Sequence, residues 1–334
     1  MIAESCYYTS DGKVFGSKIE ASKQYPGSQL LFYYNDTSYS KMDWSIEPPL
    51  DIEFYYKDQA QRIRDTYDYV VLFYSGGVDS TNILETFHFN NIKLDKIVCV
   101  GAYSQDSFFG SDENRNKEIY DNCYPYLKEL NLTHITQFVD YSSILMTEFK
   151  TLSVYSYGDE WPKQLGAWYS PTHWFWRDIE RFVVPADQQN KKVALILGID
   201  KPNLMRQGDK FLFRFNDLCL SSHGNISGRH NVDRIKFYWD VSYPNILIKQ
   251  LHIVKRHMIA NNPGQVADFV YNLRKPLNFI SQKSPSTVLS LRDLYLQKHK
   301  TTEVYDFFKS GLKYINSNID RRHLSTIYSR PYFI

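Results

Sequence analysis

The chain has 334 residues, of which 43% are hydrophobic, so it can bury a sizeable core in one large domain or two smaller ones. Its formal net charge of +2 points to no class of charged partner. No segment approaches the roughly 20 apolar residues of a membrane span, the first residues do not resemble a signal peptide, and the four cysteines form no Cys-x-x-Cys pair. We therefore expect a cytoplasmic protein without a membrane partner, a disulfide scaffold or a zinc site.

Residues 1–68 are predicted to form an N-terminal extension that packs on the core of the protein. Residues 30–34 are a run of apolar and aromatic residues followed by the turn signal Asn35-Asp36, which predicts a β-strand. A Pro-Pro pair then precedes a helical pattern over residues 52–67. The extension is expected to end where the first buried strand begins.

Residues 69–244 alternate between apolar strands and helices, which is typical of an α/β protein with a doubly wound, mostly parallel sheet. Strands are predicted at residues 69–74, 96–103, 134–139 and 193–197, and the helices between them at residues 80–90, 112–130 and 171–183. Because the crossovers between parallel strands are right-handed, the carboxyl ends of these strands should lie along one edge of the sheet.

The pattern changes after the fourth predicted strand. Residues 210–215 and 234–241 are rich in aromatic side chains, which predicts a β-hairpin insertion or a pair of antiparallel strands. The polar stretch between them, residues 221–231, is long enough to cover a site. Residues 245–334 are predicted to form a helical C-terminal region, in which basic residues outnumber acidic ones between positions 246 and 300.

Residues 70–81 carry the most specific signal in the chain. An apolar strand runs directly into the turn Ser75-Gly76-Gly77-Val78, and a helix is predicted to begin near Asp79-Ser80. Two consecutive glycines allow the backbone to approach an anion closely, and the helix N-terminus adds N–H groups and a partial positive charge. Asp79 would repel bare pyrophosphate, so its presence predicts a bridging Mg²⁺ ion, while Ser75 and Ser80 supply hydroxyl donors.

These residues resemble the Ser-Gly-Gly-x-Asp-Ser loop of the PP-loop ATP pyrophosphatases, which include the synthetase half of asparagine synthetase, GMP synthetase and several tRNA-modifying enzymes. The resemblance implies a HUP-like five-stranded sheet of order 3-2-1-4-5, with ATP and Mg²⁺ at the carboxyl edge of strands one and four. It identifies residues 69–244 as the ATP pyrophosphatase domain. The chain has neither a Gly-x-x-x-x-Gly-Lys-Ser/Thr loop nor a Gly-x-Gly-x-x-Gly turn, which disfavours γ-phosphate hydrolysis and dinucleotide binding.

Two further turns are predicted at the same edge. The fourth strand opens into Gly198, Asp200 and Lys201, where the resemblance implies a glycine turn with an acid beside the phosphates. Asp79 and Asp200 would then share the metal ion, while Lys201 neutralises charge on the departing pyrophosphate. Related enzymes hold adenine and ribose at the end of the second strand, where this chain has Gly101, Ala102 and Tyr103.

The resemblance also implies a reaction. ATP is cleaved to AMP and pyrophosphate to adenylate a carboxylate, amide or base carbonyl, and a nitrogen nucleophile then forms a C–N bond. Position 2 is isoleucine rather than the nucleophilic cysteine of glutamine-dependent asparagine synthetases. The cysteine clusters of deazaguanine nitrile synthases and the paired cysteines of thiolating tRNA enzymes have no counterpart in the sequence pattern, which disfavours sulfur transfer, although a role for Cys99 or Cys123 alone stays open. The acceptor and the nitrogen donor stay open as well.

Two alternatives stay open beside a small-molecule ligase. The basic residues after position 245 would bind nucleic acid in an enzyme that modifies a tRNA or DNA base, although a solvated helix surface has the same composition. A non-catalytic regulatory module would keep the ATP-binding loop without any chemistry. Substitution of Asp79 by asparagine distinguishes an enzyme from a regulatory module, because a sensor can keep its nucleotide affinity while an enzyme loses turnover.

Overall fold

The computed structural model of the protein describes residues 6–15, 18–101, 119–140, 179–188, 190–198, 203–215, 217, 231–261, 266–267 and 327–334. Within these ranges, no helix is long and apolar enough to cross a membrane. The predicted polar stretch at residues 221–231 lies outside them except for its last residue, and so do most of the residues after position 261.

The N-terminal residues form a three-stranded antiparallel sheet of order β2-β1-β3. Its strands are β1 (Cys6–Ser10), β2 (Lys13–Phe15) and β3 (Leu30–Tyr34), with helix α1 (Lys18–Gln24) between the last two. Helices α2 (Asp36–Tyr39) and α3 (Ile52–Thr66) follow. Strand β3 and helix α3 confirm the predictions for residues 30–34 and 52–67.

The centre of the molecule is a five-stranded parallel sheet, which confirms the predicted mixed α/β class. Along the chain its strands are β4 (Tyr69–Phe73), β5 (Lys96–Gly101), β6 (Thr136–Asp140), β7 (Val193–Leu197) and β10 (Val232–Lys236). Their order in space is β10-β7-β4-β5-β6. Helix α4 (Val78–Phe89) links β4 to β5, a π-helical turn (Ile119–Cys123) and helix α5 (Tyr124–Glu129) precede β6, and helix α6 (Glu180–Val183) precedes β7.

Both faces of this sheet are buried, because alternate residues of a strand point to opposite sides. Val70 and Leu72 of β4 belong to the larger apolar cluster, which also contains Phe87 of α4. Val71 belongs to a second cluster together with Val183 of α6. The central strand is therefore covered on both sides, which explains its uninterrupted run of apolar residues.

The predicted pairing of residues 210–215 with residues 234–241 is wrong. Strand β9 (Lys210–Arg214) pairs antiparallel with its neighbour β8 (Asn203–Gln207), and the hairpin turns at Gly208. Strand β10 pairs parallel with β7 instead and forms the edge of the central sheet, while residues 237–241 are not part of a strand. Alternating aromatic residues predicted that both segments are strands, but alternation does not determine which strand each one pairs with.

The described part of the C-terminal region is helical only in part. Helix α7 (Asn245–Asn261) lies where a helix is expected. The short strands β11 (Val266–Ala267) and β12 (Tyr332–Phe333) pair with β8 and β9 and extend the hairpin to a four-stranded antiparallel sheet. A buried ion pair of 2.8 Å between Lys18 Nζ and Asp217 Oδ2 joins α1 to the segment after this hairpin.

Candidate functional site

The turn between β4 and α4 depends on a glycine at position 76. Gly76 has a φ of +79°, a conformation that side chains disfavour. A Cβ atom added there would lie 3.1 Å from both the Cβ and the backbone nitrogen of Cys123, at the end of the π-helical turn. The next residue, Gly77, is the N-cap of α4 in an extended conformation. The loop is thus packed directly against Cys123, and Gly76 contributes no side chain to this contact.

The hydroxyl groups of Ser75 and Ser80 form hydrogen bonds within this loop. The Ser80 hydroxyl donates a hydrogen bond of 3.0 Å to the Gly77 carbonyl and lies 3.2 Å from the Ser75 hydroxyl. The Gly77 N–H donates to the Ser75 hydroxyl over 3.2 Å. Ser80 is buried and Ser75 is exposed. Ser80 therefore shapes the loop, and Ser75 is the hydroxyl that an incoming ligand can reach.

The first turn of α4 is oriented for an anion. The first N–H groups of a helix have no acceptor within the helix, and they carry the positive end of its dipole. Gly77, the N-cap residue, has no side chain that could cap the N–H groups of the first turn. Asp79 lies in this turn and is half-buried. An anion at this position would face backbone donors and one carboxylate, a combination that suits a phosphate group bound together with a cation.

Two buried side chains support the turn that carries Asp79. The Tyr238 hydroxyl donates a hydrogen bond of 2.6 Å to the Asp79 carbonyl oxygen, and the Asn82 side-chain amide donates one of 2.9 Å to that hydroxyl. Burial raises the pKa of the Tyr238 phenol well above its ordinary value, and the nearby Asp79 carboxylate raises it further. The phenol therefore stays protonated and keeps its donor role.

The end of β7 lies against the same turn. A Cβ atom added to Gly198 would be 3.1 Å from the Ser80 nitrogen and 3.2 Å from the Asp79 carbonyl carbon. Strand β7 is the hydrogen-bonded neighbour of β4, which brings the two strand ends together at one edge. Gly101, the last residue of β5, is buried and lies at the carboxyl end of the strand on the other side of β4.

The structure therefore brings together part of the predicted site. The loop residues Ser75–Ser80, Gly198 and Gly101 lie at the carboxyl ends of three adjacent strands. The other predicted contacts lie outside the described ranges: Ala102, Tyr103, Asp200 and Lys201. Among the described residues, no group of three or more His, Cys, Asp and Glu side chains is arranged to hold a metal ion. A metal ion that binds through phosphates needs only one or two carboxylates, so Asp79 fits this type of site.

Sequence reasoning missed three neighbours of the loop: Asn82, Cys123 and Tyr238. Asn82 lies in α4, two positions after the loop, and nothing in the sequence indicates that its side chain is buried against Tyr238. Tyr238 is separated from Asp79 by 159 positions and Cys123 from Gly76 by more than 40, so no local spacing could indicate either contact.

Replacement of Tyr238 by phenylalanine should destabilise the fold by about 1–3 kcal/mol, because the Asn82 amide loses its acceptor in a buried environment. Urea unfolding measures the change. The matched control is Tyr328→Phe, since Tyr328 is 48% exposed, and this variant should stay within about 0.5 kcal/mol of the parent protein. Equal stability of the two variants would show that the Tyr238 contact does not support the turn.

No family model matches the chain, and no match was found among curated proteins.

Proposed function

We propose that the protein is an ATP-dependent adenylating enzyme of the PP-loop class, which cleaves ATP to AMP and pyrophosphate. The activated group would be a carboxylate, amide or base carbonyl, and the product would contain a new C–N bond. The observation that carries this proposal is the turn at Ser75–Ser80, in which a buried parallel strand ends in two glycines at the N-terminus of a helix. This arrangement offers backbone donors to a phosphate chain at close range.

The order of the central strands supports the same class. Numbered along the chain, the strands lie in the order third, second, first, fourth and fifth, which is the order that the resemblance implies. The sequence order reverses direction between the first and fourth strands, and ligands of open α/β sheets bind at such a switch point. The Ser75–Ser80 loop follows the first of these strands and Gly198 the other.

The residues fit a phosphate chain bound with magnesium. Asp79 would hold the ion, and we assign Asp200 as its partner because it follows the glycine turn of β7 in the sequence. When bound, magnesium offsets the negative charge of the phosphates, which would otherwise repel the Asp79 carboxylate. The absence of a side chain at Gly76 lets the loop pack against Cys123, and its absence at Gly198 lets the end of β7 pack against the first turn of α4.

The roles of the protein groups follow from the charge that develops during the reaction. Attack on the α-phosphorus releases pyrophosphate, so the loop must favour negative charge on the β and γ phosphates more strongly as the bond breaks. Backbone N–H groups of the loop and the first helical turn orient the leaving group, and Ser75 offers an exposed hydroxyl. Lys201 is assigned to the departing pyrophosphate. Catalysis in this proposal comes mainly from positioning and electrostatic stabilisation.

Three lysine and arginine residues between positions 246 and 300 lie in the described part of the chain, and they give little support to a nucleic-acid substrate. Lys249 forms an ion pair of 2.8 Å with Glu47, and Arg256 contacts the same carboxylate. Lys255 donates a hydrogen bond of 3.0 Å to the carbonyl oxygen of Ile334. These three residues make contacts within the protein, so we favour a small-molecule or free nucleobase acceptor.

The test is the identity of the nucleotide products. The protein is incubated with Mg²⁺, ATP labelled at the α-phosphate and an extract of small metabolites, and the products are separated by chromatography. We expect the label in AMP or in an adenylated metabolite, with one pyrophosphate released per label transferred. Release of ADP and inorganic phosphate as the only products would contradict the proposal. Retained ATP binding with no turnover for any acceptor would favour the regulatory module.

A further inference from the structure

Two buried cysteines lie in contact beside the phosphate-binding loop. The sulfur atoms of Cys99, in strand β5, and Cys123, in the π-helical turn, are 3.1 Å apart. Both residues are fully buried, and neither is part of a disulfide. A disulfide bond is about 2.05 Å long, so the two sulfur atoms need to approach by only about 1 Å to form one.

The segments that carry the two cysteines both contact the loop. Val98, which precedes Cys99, accepts a hydrogen bond of 2.9 Å from the Tyr74 N–H at the start of the turn. The backbone nitrogen and Cβ of Cys123 would each lie 3.1 Å from a Cβ at Gly76. The sulfur–sulfur contact therefore joins two segments that both touch the loop: strand β5 at Tyr74 and the π-helical turn at Gly76.

We propose that Cys99 and Cys123 form a reversible disulfide that changes the conformation of the Ser75–Ser80 loop. The effect on ATP rests on the proposed function; the disulfide and the change in the loop do not. With a peroxide as oxidant, one thiol becomes a sulfenic acid and releases a water molecule. The second thiol attacks that sulfur and releases a second water, so two thiols and one H₂O₂ give one disulfide and two H₂O. A dithiol reductant reduces the disulfide back to two thiols and is itself oxidised to a disulfide.

The movement on oxidation falls on the Cys123 side. Strand β5 is hydrogen-bonded to β4 on one side and to β6 on the other, which fixes the position of Cys99. Cys123 ends a short π-helical turn, and its backbone is in direct contact with Gly76. Because interiors are close-packed, a shift of about 1 Å in this segment has to be accommodated by the loop. Both thiols are buried, so a large substrate does not reach them, whereas hydrogen peroxide is small enough to reach them when the protein opens locally around Cys123.

The first experiment tests the disulfide itself. The protein is treated with hydrogen peroxide, remaining thiols are alkylated, and a digest is analysed by mass spectrometry without reduction. We expect a peptide pair joined through Cys99 and Cys123 that disappears after treatment with dithiothreitol. The Cys123→Ser variant should lose it, whereas a Cys6→Ser, Cys219→Ser double variant should form it normally. Absence of the linked pair, or equal oxidation at all four cysteines, would overturn the proposal.

The second experiment tests the effect on the loop and separates it from the proposed function. Hydrogen exchange of residues 74–81 should change on oxidation in the parent protein and stay constant in Cys123→Ser, whether or not ATP binds. If exchange does not change in the oxidised parent protein, the switch is refuted. Pyrophosphate release should fall by about 10²-fold, because a displacement near 1 Å is enough for such a loss. A reduced protein that does not bind ATP would refute only the proposed function, since hydrogen exchange still decides the switch.

Discussion

Replacement of Asp79 by asparagine is expected to lower the rate of pyrophosphate release by about 10²- to 10³-fold, the loss seen when one electrostatic contact to a developing charge is removed. Asparagine has nearly the same shape and can keep the turn in place, because the contacts from Tyr238 reach the Asp79 backbone rather than its side chain. The variant therefore removes the charge and leaves the fold. Single-turnover measurements with saturating ATP and Mg²⁺ provide the rate, and urea unfolding checks the stability.

The dependence of ATP binding on Mg²⁺ provides a second test of the role of Asp79. Without divalent cations, the Asp79 carboxylate should repel ATP, so the asparagine variant should bind ATP as tightly as the parent protein or more tightly. With Mg²⁺ the order should reverse, because the carboxylate then contacts a cation. Asp51→Asn is the matched control, since Asp51 is an exposed N-cap residue that makes no capping hydrogen bond. If Mg²⁺ strengthens ATP binding equally in all three proteins, Asp79 does not hold the ion.

The strands of the central sheet and the loop were predictable because their signals are local. A strand buried on both faces is a continuous apolar run, as at Tyr69–Phe73 and Val193–Leu197, and its position does not depend on which strand is its neighbour. The turn at Gly76 requires a backbone conformation that glycine favours. Such features are encoded within a few residues, and the structure has them where the sequence indicates.

The fifth strand was misassigned because an edge strand has a weaker pattern. Among the described strands, β10 is hydrogen-bonded to β7 alone, and its residues Asp233, Arg234 and Lys236 give it the polar appearance of a surface strand. Charged residues are common on edge strands, where they discourage pairing with other chains. From the sequence alone, this pattern cannot be distinguished from an antiparallel hairpin strand, and the pairing with β7 is a tertiary contact.

The cysteine pair was missed for a related reason. Cys99 and Cys123 are 24 positions apart, on a strand and on a helical turn, and they meet only because the chain returns to the β5 side of the loop. Patterns such as Cys-x-x-Cys detect pairs that are close in sequence. Contacts formed by the packing of one element on another have no local sequence pattern. The hydrogen bond between Tyr238 and Asp79 is a second example.

Replacement of Gly76 by alanine should have the largest effect on the loop itself. A positive φ costs a residue with a side chain about 1–2 kcal/mol, and overpacking against Cys123 should add about 1–3 kcal/mol. The contact is with the Cβ and backbone nitrogen of Cys123, at 3.1 Å, which cannot rotate away as the end of a long side chain can. We expect the variant to lose both stability in urea and affinity for ATP.

The Gly12→Ala variant separates the cost of a positive φ from the cost of overpacking. Gly12 has a φ of +72°, close to that of Gly76, but no atom lies within 4 Å of the added Cβ. Its alanine variant should therefore show the conformational cost alone, about 1–2 kcal/mol, and bind ATP as the parent protein does. The difference between the two variants measures the packing of the loop on Cys123. If both variants lose the same stability, the loop has room to move away from Cys123, and the coupling between the cysteine pair and the phosphate-binding turn would lose its structural basis.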